Sequence, residues 1–139
     1  MTAQEIVLIK KSWKLICSLD PPLVADVFYN KLFSLHPPLR AMFPGDMQAQ
    51  YRKLMDMLSM LVAHLDDVAG TQKMIDDLAM RHIQYGVRPA HYRQVGNALL
   101  WTFAKALGAD AGAAAVDAWK KWYDALATRM IHFTAPDKE

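Results

Sequence analysis

Apolar residues recur along this chain three or four apart, and nowhere do they alternate in the manner of a half-buried strand. Ile6, Ile9, Trp13, Ile16 and Cys17 share one helical face, behind Thr2 and Glu5 at the spacing of a capping box. Asp20 followed by Pro21 reads as an N-cap and a first-turn proline, opening a second helix that runs to about Leu35. Pro37 and Pro38 start a short helical turn ending near Phe43, and Pro44, Gly45 and Asp46 break the chain. A long helix comes next with Gln50, Leu54, Leu58, Leu61 and Leu65 on one side, and Gly70 and Thr71 are expected to end it and cap its successor. That successor is expected to be short, with Met74, Leu78 and His82 four apart on one stripe. A break at Gly86–Pro89 introduces a helix carrying Tyr92, Val95 and Leu99. Gly108 and Asp110 separate it from the last, whose face is Val116, Trp119, Tyr123, Leu126 and Met130. The pattern predicts an all-α chain of about seven helices with short connections, one domain over residues 1–139.

Composition narrows the function more than the fold. With 53% hydrophobic and 22% charged residues, the chain is neither disordered nor fibrous and can bury a sizeable core. Sixteen basic residues face fourteen acidic ones with no basic run, so no nucleic-acid partner is expected. Lone Cys17 excludes an internal disulfide. No segment approaches the ~18 apolar residues of a membrane span. Lys10 and Lys11 come after the first apolar run rather than before it, unlike a signal peptide. A cytoplasmic protein with no membrane partner is expected.

The candidate chemistry centres on His82, which ends an apolar stripe just before a turn. A histidine there is also what a helix dipole favours. No second His, Cys or carboxylate stands at metal-ligand spacing from it, so a zinc site is not expected. A single histidine suffices only where a cofactor supplies the remaining ligands, as haem does with four ring nitrogens. A haem also needs an apolar slot, an aromatic wedge and polar groups where a ligand sits. Gln50 presents an amide one turn before Leu54, and Tyr29 stands among Phe28, Leu32 and Phe33. Read singly, Tyr29 fits a core tyrosine with its hydroxyl at the surface, and Gln50 a solvated helix residue, better than either fits a ligand site. His64 lies fourteen residues beyond Gln50, ~21 Å along a helix, too far to share a site with it. His36, His91 and His132 fall at helix ends or beside turns and are expected to be solvated.

Taken together, these segments resemble the globin family over nearly the whole chain. The second and third helices are carried by Val27-Phe28-Tyr29-Asn30-Lys31-Leu32-Phe33, His36-Pro37 and Leu39 to Phe43. Gln50 to Met55 resembles the distal helix; Arg81-His82, Gly86-Val87 and Tyr92 through Leu100 resemble the proximal histidine and the helix after it. Trp13 and Ala118 to Tyr123 resemble the first and last helices. The likeness is greatest to bacterial single-domain globins and the globin part of flavohaemoglobins, with some to neuroglobin-type chains. It implies a globin fold around haem b, iron protoporphyrin IX, with His82 as the iron ligand and Phe43 packed on the haem face. Tyr29, Gln50 and Leu54 would form the distal pocket, Val87 and Val95 would line the proximal side, and Leu78 and Tyr92 would also bind the cofactor. Lys53 and Arg81 would reach the propionates, with solvated surface the equal alternative.

The same resemblance implies O2, NO and CO as ligands. Tyr29 and Gln50 offer two donors to bound O2, and at ~1.5–3 kcal/mol each they could slow its release about a thousandfold. That suits NO dioxygenation to nitrate more than oxygen delivery. The sequence runs to Glu139 with no flavin or nicotinamide segment, so turnover is expected to draw on a separate reductase. The flavohaemoglobin glutamate that supports the proximal histidine aligns with Thr134, which cannot supply that effect, and peroxidase-like chemistry is not expected. The alternative is a non-enzymatic O2 store, scavenger or redox sensor. A haem whose sixth ligand is Lys53 or the Tyr29 phenolate is a third reading.

Overall fold

In a computed structural model, residues 1–133 are described, with the side chains of residues 109–111 left aside. They form six α-helices and one 3₁₀ helix: α1 Ala3–Ser18, α2 Pro21–Leu35, the 3₁₀ helix Pro37–Met42, α3 Met47–Ala63, α4 Val68–Gln84, α5 Pro89–Leu107 and α6 Ala109–Phe133. The architecture is the all-helical globin fold. No described helix is long and apolar enough to cross a membrane. Thr134 lies outside the described residues.

Local chemistry sets most boundaries where the sequence puts them. The Thr2 hydroxyl accepts the Glu5 N–H while the Glu5 carboxylate accepts the Thr2 N–H, satisfying two orphan donors at the start of α1. Asp20 caps α2 and Asp46 caps α3. The junction of α3 and α4 differs from expectation. Helix α3 stops at Ala63 and α4 begins at Val68, so Gly70 and Thr71 lie inside α4, which is long at 17 residues. Asp67 is the N-cap, and its carboxylate folds onto the Gly70 N–H in space that a side chain at Gly70 would fill. The Thr71 hydroxyl donates back to the His64 carbonyl, tying the two helices together. Asp110 likewise falls within α6 rather than between helices; Gly108, with φ +81°, makes that break alone.

The core is built where α1, α5 and α6 meet. Trp119, Phe103, Ile9 and Ile16 are almost completely buried there. Trp13, Phe103 and Trp119 form a cluster with ring centroids 4.6–6.1 Å apart. Its polar atoms are satisfied: the Trp119 indole donates to the Ser12 hydroxyl at 2.8 Å, which donates on to the Leu8 carbonyl, and the Trp13 indole donates to Ser59. Helices α5 and α6 approach closely at Gly96, whose Cα faces the Tyr123 ring. Elsewhere α2 packs on α5, α4 on α6, and α3 on α1 and α2. Holding α3 and α4 on different partners leaves a gap between them, and the functional cavity occupies it.

Candidate functional site

The cavity has a volume of about 600 Å³ and draws on five of the helices and the 3₁₀ segment. That is within the ~300–1,000 Å³ of small-molecule and cofactor sites. All eleven residues singled out in the sequence line it: Tyr29, Phe43, Gln50, Lys53, Leu54, Leu78, Arg81, His82, Val87, Tyr92 and Val95. On one wall stand Tyr29 from α2, Phe43 beyond the 3₁₀ helix, and Gln50 and Leu54 from α3. On the other stand Leu78 and His82 from α4 and Tyr92 and Val95 from α5.

The turn after α4 fixes the second wall. Gly86, at φ +84°, allows its own N–H to reach the Ile83 carbonyl and the Val87 N–H to reach the His82 carbonyl. This is the paired closure of a Schellman motif, and it holds Val87 beside His82. The His82 Nδ1 lies 2.9 Å from the Leu78 carbonyl. A carbonyl can only accept, so Nδ1 carries the hydrogen and Nε2 keeps its lone pair for a metal. Burial pushes the His82 pKa down, opposed by the Leu78 bond and assisted by Arg81, which favours the neutral imidazole a metal requires. The Tyr92 ring lies nearly parallel to His82, centroids 6.3 Å apart, and limits how the imidazole can turn.

On the facing wall the Gln50 Nε2 donates to the Tyr29 hydroxyl at 3.0 Å. Because the hydroxyl accepts there, its own hydrogen is free for another acceptor. Burial raises the Tyr29 pKa to about 12, so the group is a neutral phenol at physiological pH rather than a phenolate. Phe43 meets the Tyr29 ring edge-on at 5.3 Å. Lys53 and Arg81 are both exposed at the cavity margin and stand in none of the described ion pairs.

Two features escaped the sequence reading. His91, expected to be solvated, is half-buried and lines the cavity. Its Nδ1 accepts the Arg88 N–H at 2.9 Å, which leaves the hydrogen on Nε2. Helix α6 also contributes a wall through Trp122, Tyr123, Leu126 and Met130, a stripe whose spacing reads equally as core. The Tyr123 hydroxyl donates to the Tyr92 carbonyl at 2.6 Å, bracing α5 against α6 behind the cavity. The Tyr92 hydroxyl itself is buried with no hydrogen-bond partner among the described residues. A largely apolar cavity, a neutral histidine with one free nitrogen, cations at its margin and an orphaned buried hydroxyl together fit a flat, apolar, anionic-edged metallocofactor such as haem.

A helical protein whose cavity holds a histidine with its Nε2 lone pair free for a metal is the class the geometry defines, and comparison with known proteins gives the family. The sequence model of the globin family matches residues 26–130. The flavohemoprotein of Deinococcus radiodurans is 34% identical over 111 residues, 78% of this chain and 28% of that one. That of Vibrio cholerae is 30% identical over 94% of this chain and 34% of its own length. The chain therefore spans about a third or less of those curated relatives. A bacterial globin structure from Campylobacter jejuni superposes with a TM-score of 0.80 at 24% identity, covering 96% of each chain. A candidate nitric oxide dioxygenase from Rhodothermus marinus, engineered as a carbene transferase, gives 0.82 at 25% identity, covering 96% of this chain and 93% of that one. This chain belongs to the globin family. Membership carries haem as cofactor and small gases as ligands.

Proposed function

We propose that this globin holds haem b through His82 Nε2, binds O2 tightly beneath Tyr29, and consumes NO by dioxygenation to nitrate with electrons from a reductase. Held by His82, haem would supply an iron able to bind a diatomic gas and exchange electrons with it. Lys53 and Arg81 would pair with its carboxylates, and Phe43, Leu54, Leu78, Val87 and Val95 would enclose its ring. The observation that carries the reading is the bond from Gln50 to the Tyr29 oxygen.

That bond changes how the two polar residues share the work. Gln50 spends one N–H on Tyr29, so it acts first as a positioning residue. Tyr29 is the aimed donor, its hydroxyl hydrogen left over for a ligand atom. A hydrogen bond to a charged acceptor contributes ~1.5–3 kcal/mol, or roughly a tenfold to hundredfold slower release. The apolar walls exclude water, which preserves that strength. A gas held this way suits a second reactant arriving in the pocket better than repeated unloading.

Storage or scavenging of O2 without turnover is favoured by one observation. The partner of His82 is a neutral carbonyl, which does little to raise the electron-donating power of the imidazole. Release of O2 from the reduced, oxygenated protein, followed by stopped-flow absorbance with CO as trap, tests the distal assignment. Slow release that Tyr29→Phe accelerates at least tenfold supports it. Fast release unchanged by that variant refutes it and leaves storage. NO consumption by the oxygenated protein, measured next, separates dioxygenation from scavenging.

A further inference from the structure

We infer that Tyr51, with Asp26 as its proton acceptor, is a redox-active tyrosine that carries stray oxidising equivalents from the cavity to the protein surface. Oxidation of a phenol near neutral pH requires loss of its proton, because the phenol radical cation is strongly acidic. A tyrosine is therefore oxidised easily only where a base stands within hydrogen-bond reach. The chain has five tyrosines. The Tyr51 hydroxyl donates to the Asp26 carboxylate at 2.6 Å. None of the other four shows a carboxylate partner: Tyr29 is bonded to an amide, Tyr123 to a backbone carbonyl, Tyr92 to nothing described, and no such bond is described for Tyr85. The Asn30 amide donates to the second Asp26 oxygen at 3.1 Å and holds the carboxylate in place.

Position completes the case. The Tyr51 ring is stacked on Tyr29, centroids 5.6 Å apart and planes within 20°, and Tyr29 lines the cavity. Overlapping rings at that distance pass an electron readily. Tyr51 is half-buried, whereas Tyr29 is only 3% exposed, so the pair leads from the cavity to solvent. The other aromatic chain, Trp122–Trp119–Trp13, has links of 5.3 and 5.9 Å but ends at a tryptophan only 6% exposed. It is a reservoir more than an exit.

The oxidant is a peroxide, and the inference rests on haem being held by His82. Reduction of one hydrogen peroxide to two waters takes two electrons and two protons. Tyr51 supplies one of these electrons through the Tyr29 ring, passes its phenolic proton to Asp26 and becomes a neutral tyrosyl radical; once re-reduced it supplies the second in the same way, so each peroxide consumes two donor molecules, and the two protons that leave in water come from solvent. A small one-electron donor of the ascorbate class then returns the electron at the surface, and Asp26 returns the proton. Because a carbonyl rather than a carboxylate supports His82, peroxide reduction is slow and its by-products are strays to be discharged.

The test is freeze-quench electron paramagnetic resonance of the ferric protein mixed with hydrogen peroxide. A tyrosyl signal is expected in the haem-loaded wild type. It should fall at least fivefold in Tyr51→Phe, form several-fold more slowly in Asp26→Asn, and persist in Tyr85→Phe. A signal unaltered in Tyr51→Phe, or none in the loaded wild type, overturns the inference. A second arm oxidises the protein as purified with photogenerated tris(bipyridine)ruthenium(III) and follows the tyrosyl radical by transient absorbance. Slower radical formation in Asp26→Asn is expected there, and equal rates overturn the role of Asp26. Haem loading is measured separately from its spectrum. A protein that loads none refutes the proposed function, while the ruthenium arm still decides whether Tyr51 and Asp26 are a redox pair.

Discussion

Replacing Gly96 by alanine isolates the contact on which the back of the cavity depends. An ideal Cβ at Gly96 would lie 2.4 Å from Tyr123 Cε2 and 2.9 Å from Cδ2, where ordinary contact begins at 3.4 Å. The ring would have to retreat by about 1 Å, yet its hydroxyl is anchored to the Tyr92 carbonyl at 2.6 Å and its body is 7% exposed. Mid-helix, glycine to alanine ordinarily gains ~1 kcal/mol. Against that, overpacking costs ~1–3 kcal/mol, and a buried phenol left without its acceptor costs ~1–3 kcal/mol. The net is a destabilisation of about 1–5 kcal/mol, read as a lower urea midpoint with unchanged slope at fixed haem saturation. In a Tyr123→Leu background the obstacle is gone, and the same substitution should show its helix-propensity gain of ~1 kcal/mol instead. A single variant that is stabilised by that amount would refute the close approach of α5 and α6.

Three further outcomes are expected. His82→Ala should lose stable haem retention, measured by transfer to an excess of haem-free acceptor globin; stoichiometric haem that resists transfer would remove His82 as the ligand. Tyr29→Phe should speed O2 release roughly tenfold to hundredfold, the worth of one charged hydrogen bond, while Gln50→Leu, which frees the phenol from its guide, should do so by less. The bond from Lys121 is the chief reason the Glu5 pKa falls from 4.5 to about 2, so this carboxylate contributes stability above pH ~4.5 that is lost as pH falls towards 2. Thermal unfolding of Glu5→Gln should therefore lie below wild type at neutral pH and converge with it in acid; a constant offset down to pH ~2 would contradict the pairing.

The cavity-facing residues were legible because each sat on a helix face whose period could be counted. Gln50 and Leu54 are four apart on α3, Leu78 and His82 four apart on α4, and all four meet the same cavity. The stripe Tyr123, Leu126 and Met130 has the same period, but one stripe serves a core and a cavity wall equally. Only the placement of α6 against α4 and α5 distinguishes them. His91 was hidden for another reason. Its position next to a turn suggested solvent, yet accepting the Arg88 N–H turns the ring along the helix and towards the cavity. The junction of α3 and α4 was misread because a glycine near a predicted helix end resembles a terminator. Here Gly70 instead leaves room for the Asp67 carboxylate within the first turn of α4. The Gln50–Tyr29 bond joins residues 21 apart in sequence, and no periodicity encodes it.

The two walls of the cavity answer to different neighbours, and that divides the molecule's cooperativity. Helices α1, α2, α5 and α6 interlock through shared contacts, whereas α3 is fastened chiefly to α1 and α2, and α4 chiefly to α6. A group filling the space between α3 and α4 thus acts as a keystone, joining two elements otherwise tied to each other only near the Thr71–His64 junction among the described residues. In the cofactor-free chain these two helices should open as separate local units, with amide exchange far faster than in the Trp13–Trp119 core. Cofactor capture is then the closing step of folding, and protease sensitivity of α3 and α4 becomes a direct gauge of how much of the protein in a cell has been loaded.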